Sequence, residues 1–178
     1  MLKNLYLIVG PSGSGKTTIA NRLEKDYGYR QVYSYTTRPA RYPGETSHVF
    51  LSDEAFDSLE HIVSYTEYNG YRYAATQELL NHCDVFVVDP PGVEYLLKHI
   101  DKNRDIKIVC MEISETIRAL RMMERGDELS QILERLEVDS QWFKKDKLSF
   151  VPNFYISELN LDKAVESIHD WICKLEET

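Results

Sequence analysis

Leu5-Tyr6-Leu7-Ile8-Val9 is apolar at every position. That is the pattern of a strand covered on both faces of a parallel sheet; a strand with one wet face would alternate. The stretches Asp84–Asp89 and Ile106–Met111 read the same way, and Phe154-Tyr155-Ile156 is a shorter fourth. Between them the period changes. Thr17 to Tyr27 carries Ile19, Ala20 and Leu23 on one side, and Leu79-Leu80 and Val93–Leu97 are fainter helical signals. Ser114 to Arg125 opens on a capping residue and stops at Gly126. Asp162 to Leu175 places Val165, Ile168, Trp171, Ile172 and Leu175 at helical spacing, an amphipathic closing helix. Strands alternating with helices predict an α/β domain, a parallel sheet flanked by helices.

The stretch Gln31–Ala75 breaks the alternation. It is rich in Tyr, Thr and Val, and Asn69-Gly70 stands between Tyr68 and Tyr71. Asn-Gly between β-formers is the strongest short hairpin signal. The expectation is one domain over 1–178, with a core of 1–30 and 76–178 and a small antiparallel lobe inserted at about 31–75. No internal repeats or linkers interrupt it.

The 178 residues suffice for one domain with its own core. Lys plus Arg number 21 against 29 Asp plus Glu, a formal charge of −8. Such a surface repels nucleic-acid backbones, but it admits a small anion wherever basic residues are gathered locally. No apolar run is long enough to span a membrane. The first apolar stretch is too short for a secretion signal and leads into glycines, so a cytoplasmic protein is expected. Cys83, Cys110 and Cys173 form no close pair and read as buried small hydrophobes in a reducing compartment. His48, His61, His82, His99 and His169 are too scattered for a ligand set, with His48 alone held open. Trp142, Phe143 and Trp171 read as packing residues.

The first chemistry lies just after the first apolar run. Gly10-Pro11-Ser12-Gly13-Ser14-Gly15-Lys16-Thr17 fits G-x-x-x-x-G-K-[ST] and leads through Thr18 into the first helix. Glycines let backbone N–H groups close around phosphate oxygens, the helix start adds partial positive charge, Lys16 reaches the terminal phosphates, and Thr17 can ligate Mg²⁺. The motif points to ATP and Mg²⁺ held by residues 10–18; it leaves the phosphate's recipient open.

Ser34-Tyr35-Thr36-Thr37-Arg38-Pro39-Ala40-Arg41-Tyr42-Pro43-Gly44-Glu45 offers two guanidiniums among hydroxyls, with Pro39, Pro43 and Gly44 arguing against a helix. Arginine forks match phosphate bidentately, although such a loop is also compatible with a simple solvated turn. At these residues the chain resembles guanylate kinases, whose P-loop GPSGxGK[ST] is followed by an S-x-T-T-R-x-x-R loop ending in G-E. The resemblance covers most of the chain. It implies that Ser34, Arg38 and Arg41 grip the acceptor's phosphate, that Tyr73 adds a contact, and that Asp89 lies near the acceptor nucleoside. By its strand-end position Asp89 could equally hold Mg²⁺ through water.

The chain departs from that family at the base-reading positions. The family's guanine-reading Glu falls at Ser64, its hydroxyl residue after the hairpin at Ala75, and a second phosphate-gripping tyrosine at His48. Glu67 is no substitute, because an odd step along a strand turns it to the other face.

Arg118, Arg121 and Arg125 form one helical stripe, and Arg135 follows on the next helical segment. The bland reading is a solvated face with Glu115–Arg118 and Arg121–Glu124 pairs. The resemblance implies instead a helical lid at about 121–140, whose Arg121, Arg125 and Arg135 join Lys16 in neutralising the transferring phosphoryl group. The function implied is transfer of the γ-phosphoryl of MgATP to a nucleoside monophosphate, GMP or dGMP foremost. The alternatives are a kinase of the same fold acting on another nucleotide or a phosphorylated sugar, and a non-catalytic protein-binding module. Intact Lys16 and Thr17 count against the last. The partners expected are ATP and a phosphorylated small molecule, with neither nucleic acid nor membrane.

Overall fold

The computed structural model describes residues 4–144 and 148–177. In chain order the elements are β1 Asn4–Val9, α1 Lys16–Tyr27, β2 Tyr35–Thr36, β3 Val49–Phe50, α2 Asp53–Asp57, β4 Ile62–Tyr68, β5 Tyr71–Thr76 and α3 Gln77–Asn81. They continue with β6 Val85–Val87, α4 Pro90–His99, β7 Asp105–Met111, α5 Glu115–Glu124, α6 Leu129–Trp142, β8 Phe154–Ile156 and α7 Leu161–Glu176.

All four apolar runs become strands of one parallel sheet, ordered β6-β1-β7-β8. Every residue of β1 is buried. The two-residue period of the strand then divides the interior. Leu5, Leu7 and Val9 pack with Phe86, Val93 and Leu96 on one face. Tyr6 and Ile8 meet Ile19 and Leu23 of α1 and Val165, Ile168 and Ile172 of α7 on the other. Leu7 sits in register with Phe86 on one side and Ile108 on the other, so the strand that leads into the glycine loop is fixed from both flanks.

A second sheet, ordered β3-β2-β5-β4, is built from the chain between α1 and α3. Its β4–β5 hairpin turns on Asn69 (φ 50°) and Gly70 (φ 74°), the two positive-φ residues of a type I′ turn. The sheet is mixed, not purely antiparallel as expected: β2 and β3 run parallel. The loop from Thr37 to His48 is long enough to carry the chain back so that it re-enters in the same direction.

Three further expectations need correction. Ser114 stands at the start of α5 but makes no side-chain cap hydrogen bond; the far end does behave as expected, since Gly126 (φ 88°) closes a double backbone turn onto Met122 and Met123. Helix α2 went unread, although Ser52 caps it by accepting from the Ala55 amide and acids fill its first turn. Cys83 and Cys110 are buried but Cys173 is only half-buried, because it lies on the flank of α7 beside the His169 ring. Trp171 packs as expected, stacked on Phe154 at 5.1 Å.

Candidate active site

The loop from Gly10 to Lys16 is wedged between the end of β7 and α5. A Cβ at Gly10 would lie 2.8 Å from that of Met111, and one at Gly13 would lie 2.6 Å from the Arg118 carbonyl oxygen. Gly13 (φ 75°) and Gly15 (φ 102°) also adopt left-handed backbone that side chains resist. Helix α1 starts on Gly15 with no side chain capping its first turn, so its leading N–H groups are oriented to meet an anion. Lys16 Nζ lies across the loop, donating to the carbonyls of Gly10 (2.6 Å) and Pro11 (2.9 Å). Burial lowers its pKa to about 8, against the opposing pull of Asp139 and Asp89. Thr17 and Thr18 are exposed on the first turn of α1.

Beside Lys16 a pocket of about 150 Å³ opens between the two sheets, lined among others by Ser34, His48, Ser64, Thr66, Tyr73 and Asp89. Three of the residues expected to hold the acceptor, Ser34, Tyr73 and Asp89, therefore meet there. Asp89 caps α4 by accepting the Gly92 amide at 2.8 Å. Burial nevertheless raises its carboxyl to about 6, even with the Thr66 hydroxyl bonding to it. His48 shares a hydrogen bond with Ser34 Oγ at 3.0 Å and stands against the Tyr73 ring. Burial first, and then the Arg38 charge, lower His48 to about 4, so the ring is neutral at pH 7. Ser64 is buried with its hydroxyl donating to the Gly92 carbonyl, and Ala75, paired opposite it, is sealed in the core. Glu67 is exposed on the other face, as the strand period requires.

Arg38 is buried and forms a two-pronged pair with Glu45 (2.8 and 3.3 Å). Burial alone would raise Glu45, but hydrogen bonds from Arg38, Ser47 and the Arg41 amide bring it down to about 2. Arg41 presents its side chain at the loop surface. Partial desolvation, then the like charges of Arg38, Arg135 and Arg125, lower its pKa. The charges of Arg125 and Arg135 thus act on the arginine loop. Arg125 pairs with Asp127, which also draws Arg135 to 3.9 Å. Among the described residues, the Nε atoms of Arg38 and Arg135 are buried without a hydrogen-bond partner.

The helical arginine stripe is split by the fold. Neither of the exposed pairs Glu115–Arg118 and Arg121–Glu124 forms among the described residues. Arg118 turns inward, donating to the Ser12 and Ile113 carbonyls and pairing with Asp139 at 2.9 Å. Arg121 donates to the Ser14 and Leu159 carbonyls, gripping the loop backbone itself. Glu45, Thr66, Asp127 and Asp139 went unread as site residues. Asp127 directly after Gly126, and Asp139 one helical turn beyond Arg135, were the available signals. A larger cavity of about 590 Å³ lies beyond Pro11, between the ends of β7 and β8 and α6; of the expected site residues only Pro11 lines it.

The described residues contain no cluster of three metal-ligating side chains and no helix long and apolar enough to cross a membrane. The chain matches no family model. It is 31% identical to the guanylate kinase of Hydrogenovibrio crunogenus over an alignment of 182 positions, covering 95% of this chain and 86% of that protein. It is 31% identical to the guanylate kinase of Wolbachia pipientis wMel, with 92% and 86% covered. The fold superposes on the guanylate kinase of Anaplasma phagocytophilum with a TM-score of 0.62 at 16% identity, covering 98% of this chain and 86% of that one. A gluconokinase from Sinorhizobium meliloti shares the fold at a TM-score of 0.55 and 16% identity, with 99% and 95% covered. With relatives of this identity aligned along nearly its whole length, the chain belongs to the guanylate kinase family of phosphotransferases.

Proposed function

We propose that this protein transfers the γ-phosphoryl group of MgATP to the phosphate of a nucleoside monophosphate, GMP or dGMP foremost. One observation carries the reading: Lys16 of the glycine loop lines the same pocket as Ser34, Tyr73 and Asp89, so the donor loop and the acceptor residues meet, and the charges of Arg38, Arg135 and Arg125 add to burial in lowering the Arg41 pKa. Glu45 and Asp127 offset part of that charge. A P-loop lysine opening onto a pocket of acceptor residues, with guanidiniums acting on it from nearby, suits two phosphates meeting end to end. Phosphoryl transfer asks mainly for alignment and cations around the transferred group.

In this reading residues 10–18 hold the ATP phosphates, and Lys16 leaves the Gly10 and Pro11 carbonyls to reach them. Ser34, Arg38, Arg41 and Tyr73 hold the acceptor's phosphate, while Arg121, Arg125 and Arg135 serve the donor side and the transferring group. The Thr17 hydroxyl would hold Mg²⁺, which takes few protein oxygens and would complete its shell with phosphate and water, Asp89 reaching it only through one of those waters. Bound there, the ion would supply positive charge against the phosphates. Ser64 has spent its hydroxyl on Gly92, and Ala75 offers none, so contacts to the acceptor base fall to Asp89 and its partner Thr66.

The test is ADP formation from MgATP with GMP, dGMP, AMP, CMP, UMP, dTMP or no acceptor. Preference for GMP and dGMP is expected; rates no higher than in the no-acceptor control would overturn the reading. Activity confined to another nucleotide would keep the transfer and replace the acceptor. In the active pairing, Arg38→Ala should raise the acceptor's KM at least tenfold while leaving that of ATP within about threefold.

A further inference from the structure

On α6 the residues Ile132, Arg135 and Asp139 fall on one inward stripe, and two of the three carry charge. Asp139 is buried, and its carboxylate ends on the phosphate loop. Oδ2 accepts the Ser12 amide at 2.8 Å and pairs with Arg118 at 2.9 Å, while Oδ1 lies 3.5 Å from the Ser12 hydroxyl. Arg118 closes the triangle by donating to the Ser12 carbonyl at 3.2 Å. Both backbone polar groups of Ser12 are thus held by side chains, one from α5 and one from α6. The loop can come this close to α5 because Gly13 has no side chain to strike the Arg118 backbone.

Arg135 sits one turn before Asp139 on the same face, its guanidinium held 3.9 Å from Asp127 at the start of the lid. We propose that Asp139, locked by Arg118 onto Ser12, is a positioning residue: it fixes α6 against the phosphate loop and so aims Arg135 at the phosphoryl group held by Lys16. The inference rests on the transfer reading above. It adds that the lid arginine is set from the loop it serves, so that loop and lid are registered as one unit.

Removing Asp139 alone would leave Arg118 buried and uncompensated, which threatens the fold itself. The test therefore uses Arg118→Met with Asp139→Leu, which removes both charges and roughly keeps their volume, alongside Arg135→Ala and the triple variant. Each is read by thermal melting and by kcat and KM with MgATP and the preferred acceptor. The double variant should melt cooperatively and lose at least tenfold in kcat, with the acceptor's KM within about threefold. Arg135→Ala should then cost little more on that background, because a misaimed arginine has nothing left to lose. A kcat within threefold of the parent, or a full second loss on adding Arg135→Ala, overturns the proposal. Should the double variant fail to fold, Arg118→Gln with Asp139→Ala, which also leaves no buried charge unpaired, is read by the same cycle, with the same two outcomes deciding. Lack of activity in the parent protein would instead sink the transfer reading, which keeps the two failures apart.

Discussion

Glu45 accepts hydrogen bonds from Arg38, Ser47 and the Arg41 amide, and so sets the shape of the arginine loop. Glu45→Gln keeps the size but leaves Arg38 buried against a neutral partner, and should cost about 3 kcal/mol of stability at pH 7. The pH dependence follows from a folded pKa of about 2 against an ordinary 4.5. The stabilisation is full above about 4.5 and is lost as pH falls toward 2. The parent's advantage over the Gln variant, read by chemical denaturation, should shrink through that window. Asp89 has the opposite sign. Its folded pKa of about 6 lies above the ordinary 3.8, so keeping it ionised at neutral pH destabilises the fold. Asp89→Asn should therefore be more stable than the parent by about 1–2 kcal/mol at pH 7.5 and gain nothing near pH 4, while activity drops at least tenfold. A variant no more stable at pH 7.5 would contradict the buried-carboxylate account.

Among the elements, helix α4 shows most directly how a backbone position serves the pocket. Gly92 stands where a Cβ would meet Val88 Cγ2 at 2.7 Å, Asp89 Oδ1 at 2.9 Å and Ser64 Oγ at 3.2 Å. Gly92→Ala should displace Asp89 and raise the acceptor's KM, with a loss of about 1–3 kcal/mol in stability from overpacking. Gly70→Ala meets no atom within 4 Å and strains only its positive φ, so about 1 kcal/mol and unchanged kinetics are expected. The hairpin, the glycine loop and the four parallel strands were legible in sequence because each depends on neighbours a few residues away, although β8 lies at the sheet edge with Tyr155 exposed. The parallel β2–β3 pairing was not, since it depends on how the loop from Thr37 to His48 bends back. Nor was the inward turn of Arg118: an arginine at helical spacing looks solvated until the fold puts Asp139 and the Ser12 carbonyl beside it.

Across the whole molecule, a buried arginine far from the site ties the elements together. Arg104 donates to the carbonyls of Asn4, Leu80 and Cys83, joining β1, α3 and the turn into β6. Arg104→Leu should cost about 2–4 kcal/mol by stranding those carbonyls, visible as a lower melting temperature with KM values unchanged. What the sequence by itself determined is the local physics. A run of apolar residues must be a covered strand, glycines before a lysine and a helix make a phosphate loop, and Asn-Gly makes a tight turn. These follow from side-chain period and backbone freedom alone. The tertiary structure alone decided which charges meet. It buried Glu45 with Arg38, set Arg41 in the field of Arg125 and Arg135, spent Ser64 on Gly92 and brought Asp139 to Ser12. Electrostatic interaction depends on distance in space and on shielding from water, and neither is a function of separation along the chain.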